Sequence, residues 1–144
     1  MAMYRKPIVP DTFVIPQELV LSNCILLPLT INISELDYAA VMDMLDENGN
    51  TKYPKHTLYQ NTVDLGYHQK EFQKRASFTY TILNNSRDEC LGCLYMYPCD
   101  DMEYDVEIDM WIRNKYSNIE KEVMEKIKEW IKSVWPFEKP KFIF

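Results

Sequence analysis

The 144 residues are 47% hydrophobic, about one ordinary domain with enough apolar side chains for a core. Lys and Arg number 16 against 22 Asp and Glu, a formal charge of −6 with a pI of about 4.9, so nucleic acid and anionic membrane are not expected partners. The three glycines, Gly49, Gly66 and Gly92, lie too far apart for a GxGxxG, GxxxxGK[ST] or GxSxG motif, which excludes phosphate loops and nucleophile elbows of those kinds.

In chain order, residues 1 to 23 carry Pro7, Pro10 and Pro16 and predict an extended lead-in with little regular structure. Cys24 to Leu29 is short and apolar, and Pro28 makes it a strand that ends or lies at an edge. Asn32 or Ser34 is placed to cap a helix through Leu36, Ala39, Ala40, Asp43 and Met44, stopping before Asn48-Gly49-Asn50. After a loop holding Pro54 and His56, Thr57 is a cap for a polar helix over 58–75, with Leu58, Thr62, Leu65 and Phe72 on its inner face and His68 on its surface. Phe78 to Leu83 is β-branched and aromatic and ends in the hydrophilic hairpin 84–89, from which Leu91 to Tyr97 pairs back until Pro98. Tyr104 to Arg113 alternates: Tyr104, Val106, Ile108, Met110 and Ile112 form a core face, and Asp105, Glu107, Asp109, Trp111 and Arg113 the other. The last helix, 118–134, recurs in Ile119, Val123, Ile127, Trp130, Ile131 and Val134, with Ser117 and Glu120 at capping-box spacing and Glu122 and Lys126 spaced for an ion pair. Pro136 ends it, and Lys141 to Phe144 supplies a terminal strand.

No run approaches the roughly 18 apolar residues of a membrane span, and the first residues lack a secretory pattern. A soluble cytoplasmic protein is the expectation, with Cys24, Cys90, Cys93 and Cys99 as free thiols.

Three features carry chemistry. Asp105, Glu107 and Asp109 recur at i, i+2 and i+4, about 7 Å apart on a strand. Such a row either attracts a cationic amine and, with one raised pKa, accepts its proton, or is the solvated side of a meander. Trp111 and Arg113 on the same face favour the former. Cys90 and Cys93 form a CxxC, but residues three apart on a strand face opposite sides. The thiols are therefore expected to diverge, unless Cys90 lies in the turn, and no metal site is expected. Arg113 to Ser117 precedes a helix start, whose amides and dipole favour a phosphate, with Arg113 and Lys115 adding charge.

Taken together, LGCLYMYP (91–98), YDVEIDMWIR (104–113) and the closing WPF (135–137) resemble the GNAT superfamily of acyl-CoA-dependent N-acetyltransferases, and more narrowly a subgroup with GC-x-Y-x-x-P, YD-x-E-x-x-x-WIR and WPF. FxIP (13–16) and DYAAVM (37–42) extend the likeness over nearly the whole chain. The resemblance implies a single α+β domain over 1–144: a mixed, mostly antiparallel sheet flanked by helices, truncated at the C-terminus. It implies acetyl-CoA as co-substrate, with Met110, Trp111 and Ile112 along the pantetheine and Arg113, Lys115, Ser117, Asn118 and Ile119 around the pyrophosphate. Glu107 is then the candidate base, with Asp109 beside it to draw the amine.

Two departures mark the chain: RNKYSN (113–118) replaces the family's Q/R-x-x-G-x-G/A turn, and the sequence stops at Phe144, before the family's last helix and strand pair. Two functions remain open. One is N-acetylation of a small-molecule or peptidic amine. The other is a non-catalytic GNAT-like binding or assembly module, its sheet edge near Lys141 to Phe144 covered by a second copy.

Overall fold

The computed structural model describes residues 6–144; residues 1–5 of the lead-in lie outside them. Six strands form one sheet in sequence order, β1 (Leu19–Val20), β2 (Ile25–Pro28), β3 (Phe78–Leu83), β4 (Cys90–Tyr97), β5 (Val106–Ile112) and β6 (Pro140–Phe142). The first five pair antiparallel and β6 runs parallel to β5. A parallel neighbour needs a crossover, and α3 (Ser117–Val134) makes it.

On one face α3 buries Val123, Ile127, Trp130 and Ile131 against Phe78, Tyr80, Ile82, Leu94, Met96, Ile108 and Met110, as its three- and four-residue recurrence predicts. The lead-in closes this core: the Tyr80 hydroxyl donates to Pro16 O at 2.7 Å, and Trp135 of WPF packs on Phe13, Phe78 and Trp130. α1 (Ser34–Asp43) and α2 (Leu58–Gln73) lie on the other face. There Ile25, Ala40, Met44, Leu83, Cys90, Cys93 and Trp111 form a second cluster. Both faces are thus covered, so the outer face of β5 is acidic only in part: Trp111 and Arg113 are buried on it.

Thr57 caps α2 as its position predicts, its hydroxyl accepting from the Gln60 amide while Gln60 Oε1 accepts from the Thr57 amide. The other two caps differ from expectation. Short 3₁₀ turns at Ile31–Ile33 and Asn114–Tyr116 lead into α1 and α3, so Ser34 and Ser117 are already helical and no side chain caps either helix. The Ser34 hydroxyl instead meets Thr62 Oγ1 at 2.6 Å. Leu58 and Val134 are exposed rather than inward, and Lys126 pairs with Glu129 at 3.7 Å. Leu19–Val20 adds an edge strand to the lead-in, made by Leu21 N–H donating back to Cys24 O. No helix of the described residues is long and apolar enough to cross a membrane.

Candidate functional site

The two edges of β5 do different work. Arg113 N–H donates to Leu91 O. With Cys93 opposite Trp111 and Tyr95 opposite Asp109, the odd-numbered residues of β5 direct their amides to β4. Those of Val106, Ile108, Met110 and Ile112 point towards β6. That strand pairs with β5 only from Val106 to Ile108, ending where Ile143 N–H donates to Ile108 O at 3.0 Å. Among the described residues, Met110 to Ile112 therefore have no strand beside them on that side. The Met110 amide is held by its neighbour, donating to Asp109 Oδ1 at 2.8 Å.

Beside this edge, between α1, α2 and the outer face of β4 and β5, lies a cavity of about 360 Å³. Its walls include Asp37, Tyr53, His56, Asn61, Asp64, His68, Tyr95 and Trp111. Trp111 Nε1–H donates to Tyr95 Oη at 2.9 Å, which fixes two aromatic walls at once. The Tyr53 ring is tilted to Trp111 at 6.3 Å and that of His68 to Tyr95 at 5.8 Å.

Polar groups are as tightly arranged. Buried Asp37 accepts from Asn61 Nδ2 at 2.9 Å, and burial raises its pKa above the ordinary carboxylate value. With Nδ2 committed to Asp37 and Ser34 O, Asn61 turns its oxygen to His56 Nε2 at 3.0 Å, while His56 Nδ1 faces Pro54 O at 2.9 Å. Both ring nitrogens face acceptors, a setting that suits the imidazolium, and the Pro54 carbonyl, then Asn61, raise the His56 pKa. Asp64 lies 3.5 Å from His68 Nε2, and the hydrogen bond from that ring lowers its pKa. His68, expected on the surface, is instead in the cavity wall, its Nδ1 at 3.2 Å from Thr79 Oγ1. Polar residues line this face of α2, so hydrophobic periodicity was silent about it.

The expected site residues divide. Trp111 lines the cavity, Met110 and Ile112 lie on the unpaired edge, and Asp109 accepts the Met110 amide at that edge. Glu107 faces the same side but sits where β6 is still paired, opposite Lys141. Asp105 is apart from both, accepting the Glu138 and Lys139 amides just before β6.

Arg113 does not point outward. Its Nη2 lies 2.8 Å from Asp43 Oδ2 and its Nη1 2.9 Å from Glu89 Oε2, with a further bond to Cys90 O. Lys115 Nζ is 2.7 Å from the same Glu89 oxygen, and Tyr116 Oη donates to the other. Two cations meet two carboxylates, so this corner offers a phosphate little net charge. The amides of Asn118 and Ile119 at the start of α3 face no side-chain cap; Ser117 N–H is taken by Asn114 O.

The thiols differ from expectation too. Cys90 opens β4 rather than lying in the turn, but opposite it the register jumps: Leu83 pairs with Cys90 and Ile82 with Gly92, leaving Leu91 extra. This bulge restores Cys90 to the side of Cys93, and both are buried in the cluster with Trp111.

No family model matches the chain, and no curated protein matches it at the threshold that 29 solved chains pass. A protein assigned to the GnaT family of acetyltransferases from Bordetella pertussis is 17% identical with a TM-score of 0.61, over 82% of this chain and 73% of that one. A protein assigned as a ribosomal-protein-serine acetyltransferase from Vibrio cholerae is 10% identical with a TM-score of 0.64, over 85% and 67%. A chimera of the spermidine N-acetyltransferase SpeG from Vibrio cholerae with hSSAT is 10% identical with a TM-score of 0.57, over 88% and 70%. The chain has the GNAT fold.

Proposed function

We propose that the protein is an acetyl-CoA-dependent N-acetyltransferase acting on a small cationic amine. The observation that carries this reading is the juxtaposition on β5 of an unpaired backbone edge, Met110 to Ile112, with an acidic, aromatic cavity reached through Trp111. An extended chain bearing amides suits such an edge, because backbone donors and acceptors without a strand partner are met by another extended chain. Acetyl-CoA supplies an activated acetyl group on a pantetheine arm of that kind. Met110, Trp111 and Ile112 hold the arm. The first amides of α3, at Asn118 and Ile119, meet the pyrophosphate beside Ser117. Arg113 and Lys115 shape that corner.

The amine enters the cavity, where Asp37, Asp64 and the rings of Tyr53, Tyr95 and Trp111 favour a cation. Asp109 takes the role of base ahead of Glu107. Its carboxylate already reaches the unpaired edge, and on releasing the Met110 amide it is free to accept the ammonium proton. The freed amide is then a donor for charge developing at the reacting carbonyl. Glu107, one pair nearer the closed end, adds to the field that draws the amine.

A second reading, a GNAT-like module without catalysis, is favoured by the neutralised corner of Arg113, Lys115, Asp43 and Glu89. In that reading the edge of β6, last in the sheet, pairs with a second copy. Calorimetric titration with acetyl-CoA, followed by a thiol-release assay over a panel of diamines and peptides, decides between them. Saturable binding with turnover supports the transferase; no saturable binding at millimolar ligand supports the module.

A further inference from the structure

Two thiols meet a carboxyl group in the second core, the carboxyl group being that of Asp37, which also lines the amine cavity. Cys90 and Cys93 come from β4 and Asp37 from α1. All three are buried, and their Sγ and Oδ atoms lie within 4.8 Å of one another. Cys93 Sγ is 3.5 Å from Asp37 Oδ1. For a tetrahedral zinc ion with Zn–S of about 2.3 Å and Zn–O of about 2.1 Å, geometry requires a sulfur-to-oxygen separation of about 3.6 Å and a sulfur-to-sulfur separation of about 3.8 Å. The set therefore needs little movement to close on an ion.

The groups behind these three atoms are arranged as outer partners of metal ligands usually are. Asn61 Nδ2 donates to Asp37 Oδ2 and leaves Oδ1 facing the thiol. Thr81 Oγ1 lies 3.5 Å from Cys90 Sγ. Tyr95, whose Oη receives the Trp111 N–H, packs against the cluster that holds Cys93. Asp37 and Cys90 thus each have polar neighbours that orient them, the Cys90 thiol also donating to Gly92 O at 3.3 Å, inside a shell otherwise made of Ile25, Ala40, Met44, Leu83 and Trp111. The Leu91 bulge brings the two thiols to one side. An undistorted strand would have separated them.

We infer that Asp37, Cys90 and Cys93 form a binding site for a thiophilic divalent cation, zinc by its donor set, with a fourth position left for water or a small ligand. Two thiolates and a carboxylate exclude magnesium and calcium by softness and suit zinc. Asp37 also lines the cavity, which gives the ion an entry path. Binding releases the two thiol protons to solvent. Asp37 is shared with the amine cavity, but the cation site does not depend on acetyl transfer and its test does not read activity.

The test is reconstitution of the reduced, chelator-treated full chain with Zn²⁺ or, as a spectroscopic probe, Co²⁺. The expected result is one equivalent retained through desalting, a thiolate-to-cobalt charge-transfer band, and a melting temperature that rises with zinc and falls back with chelator. Cys90→Ser and Cys93→Ser should abolish the band and Asp37→Asn should weaken binding at least tenfold, while Cys24→Ser and Cys99→Ser leave it intact. X-ray absorption at the zinc edge of the unmutated chain keeps the inference falsifiable if a variant fails to fold. Two sulfur scatterers support it, and none or one overturns it. Retention of no metal, a band that survives loss of Cys90 and Cys93, or a chain whose two thiols prove to be oxidised to each other would overturn it as well.

Discussion

Trp111 Nε1–H and the Tyr95 hydroxyl meet at 2.9 Å across neighbouring strands, and this one bond ties the wall of the cavity to the middle of the sheet. Its removal is one-sided in Tyr95→Phe, which leaves the largely buried indole N–H without its acceptor. An unsatisfied buried donor costs about 1–3 kcal/mol. Urea unfolding of Tyr95→Phe is expected to show a loss in that range with an unchanged slope.

Gly92 carries the second prediction. A Cβ at this position would lie 1.9 Å from Trp111 O and 2.9 Å from Trp111 C, backbone atoms that cannot swing aside. Gly92→Ala must push β5 from β4 just where the Leu91 bulge has reset the register, so it should destabilise by about 1–3 kcal/mol or more, as overpacking does. It should also lower any affinity for acetyl-CoA by displacing the edge at Met110 to Ile112. A thermal melt and an acetyl-CoA titration on the same variant check both parts.

The alternation of residues 104–113 and the stripe on α3 made the sheet's centre and its main helix legible, because one covered face imposes a period on the side chains. The cavity was not legible. Its walls are polar residues of α1 and α2 with aromatic ones from the loop between them, β4 and β5, whose facing is set by tertiary contact rather than by apolar spacing. Asp37 and Asn61 carry no periodic signal at all. The bulge at Leu91 was missed although Gly92, a lone glycine inside a strand, was its available sign. That single extra residue reverses the expected facing of Cys90. The paired charges at 113–116 were missed for another reason: Glu89 and Asp43 come from distant loop and helix ends, and nothing local names them as partners.

Arg113 should then behave as a structural residue. Its guanidinium is almost wholly buried and donates to Asp43, Glu89 and Cys90 O, charge-assisted bonds of about 1.5–3 kcal/mol. Arg113→Met is expected to lower stability by about that amount, whereas Lys115→Ala, at an exposed pair with Glu89, should leave it nearly unchanged. Paired denaturation curves at low and moderate salt test the contrast, the Lys115 effect shrinking with salt and the Arg113 effect persisting.

His56 predicts a pH dependence. Its folded pKa is raised above the unfolded value of about 6.5, first by the Pro54 carbonyl and then by Asn61. The protonated ring therefore favours the folded state. Its stabilisation is fully present below pH of about 6.5 and is lost as pH rises through the folded value. His56→Gln should flatten that part of a stability profile taken from pH 5.5 to about 8.5, and NMR titration of the ring should return a midpoint above 6.5.

The division of labour between Asp109 and Glu107 can be read from kinetics. Asp109 holds the Met110 amide at the unpaired edge, while Glu107 lies beside the still-paired Lys141. Removal of a base acts only where the amine loses its proton, so Asp109→Asn should lower kcat by about 100-fold or more and leave acetyl-CoA affinity near its original value. Glu107→Gln, which takes away only part of the field drawing a cation, should raise the KM for the amine several-fold, most at low salt, with kcat little changed. Should Glu107→Gln instead carry the loss of kcat, the base is Glu107, and Asp109 serves only to hold the Met110 amide.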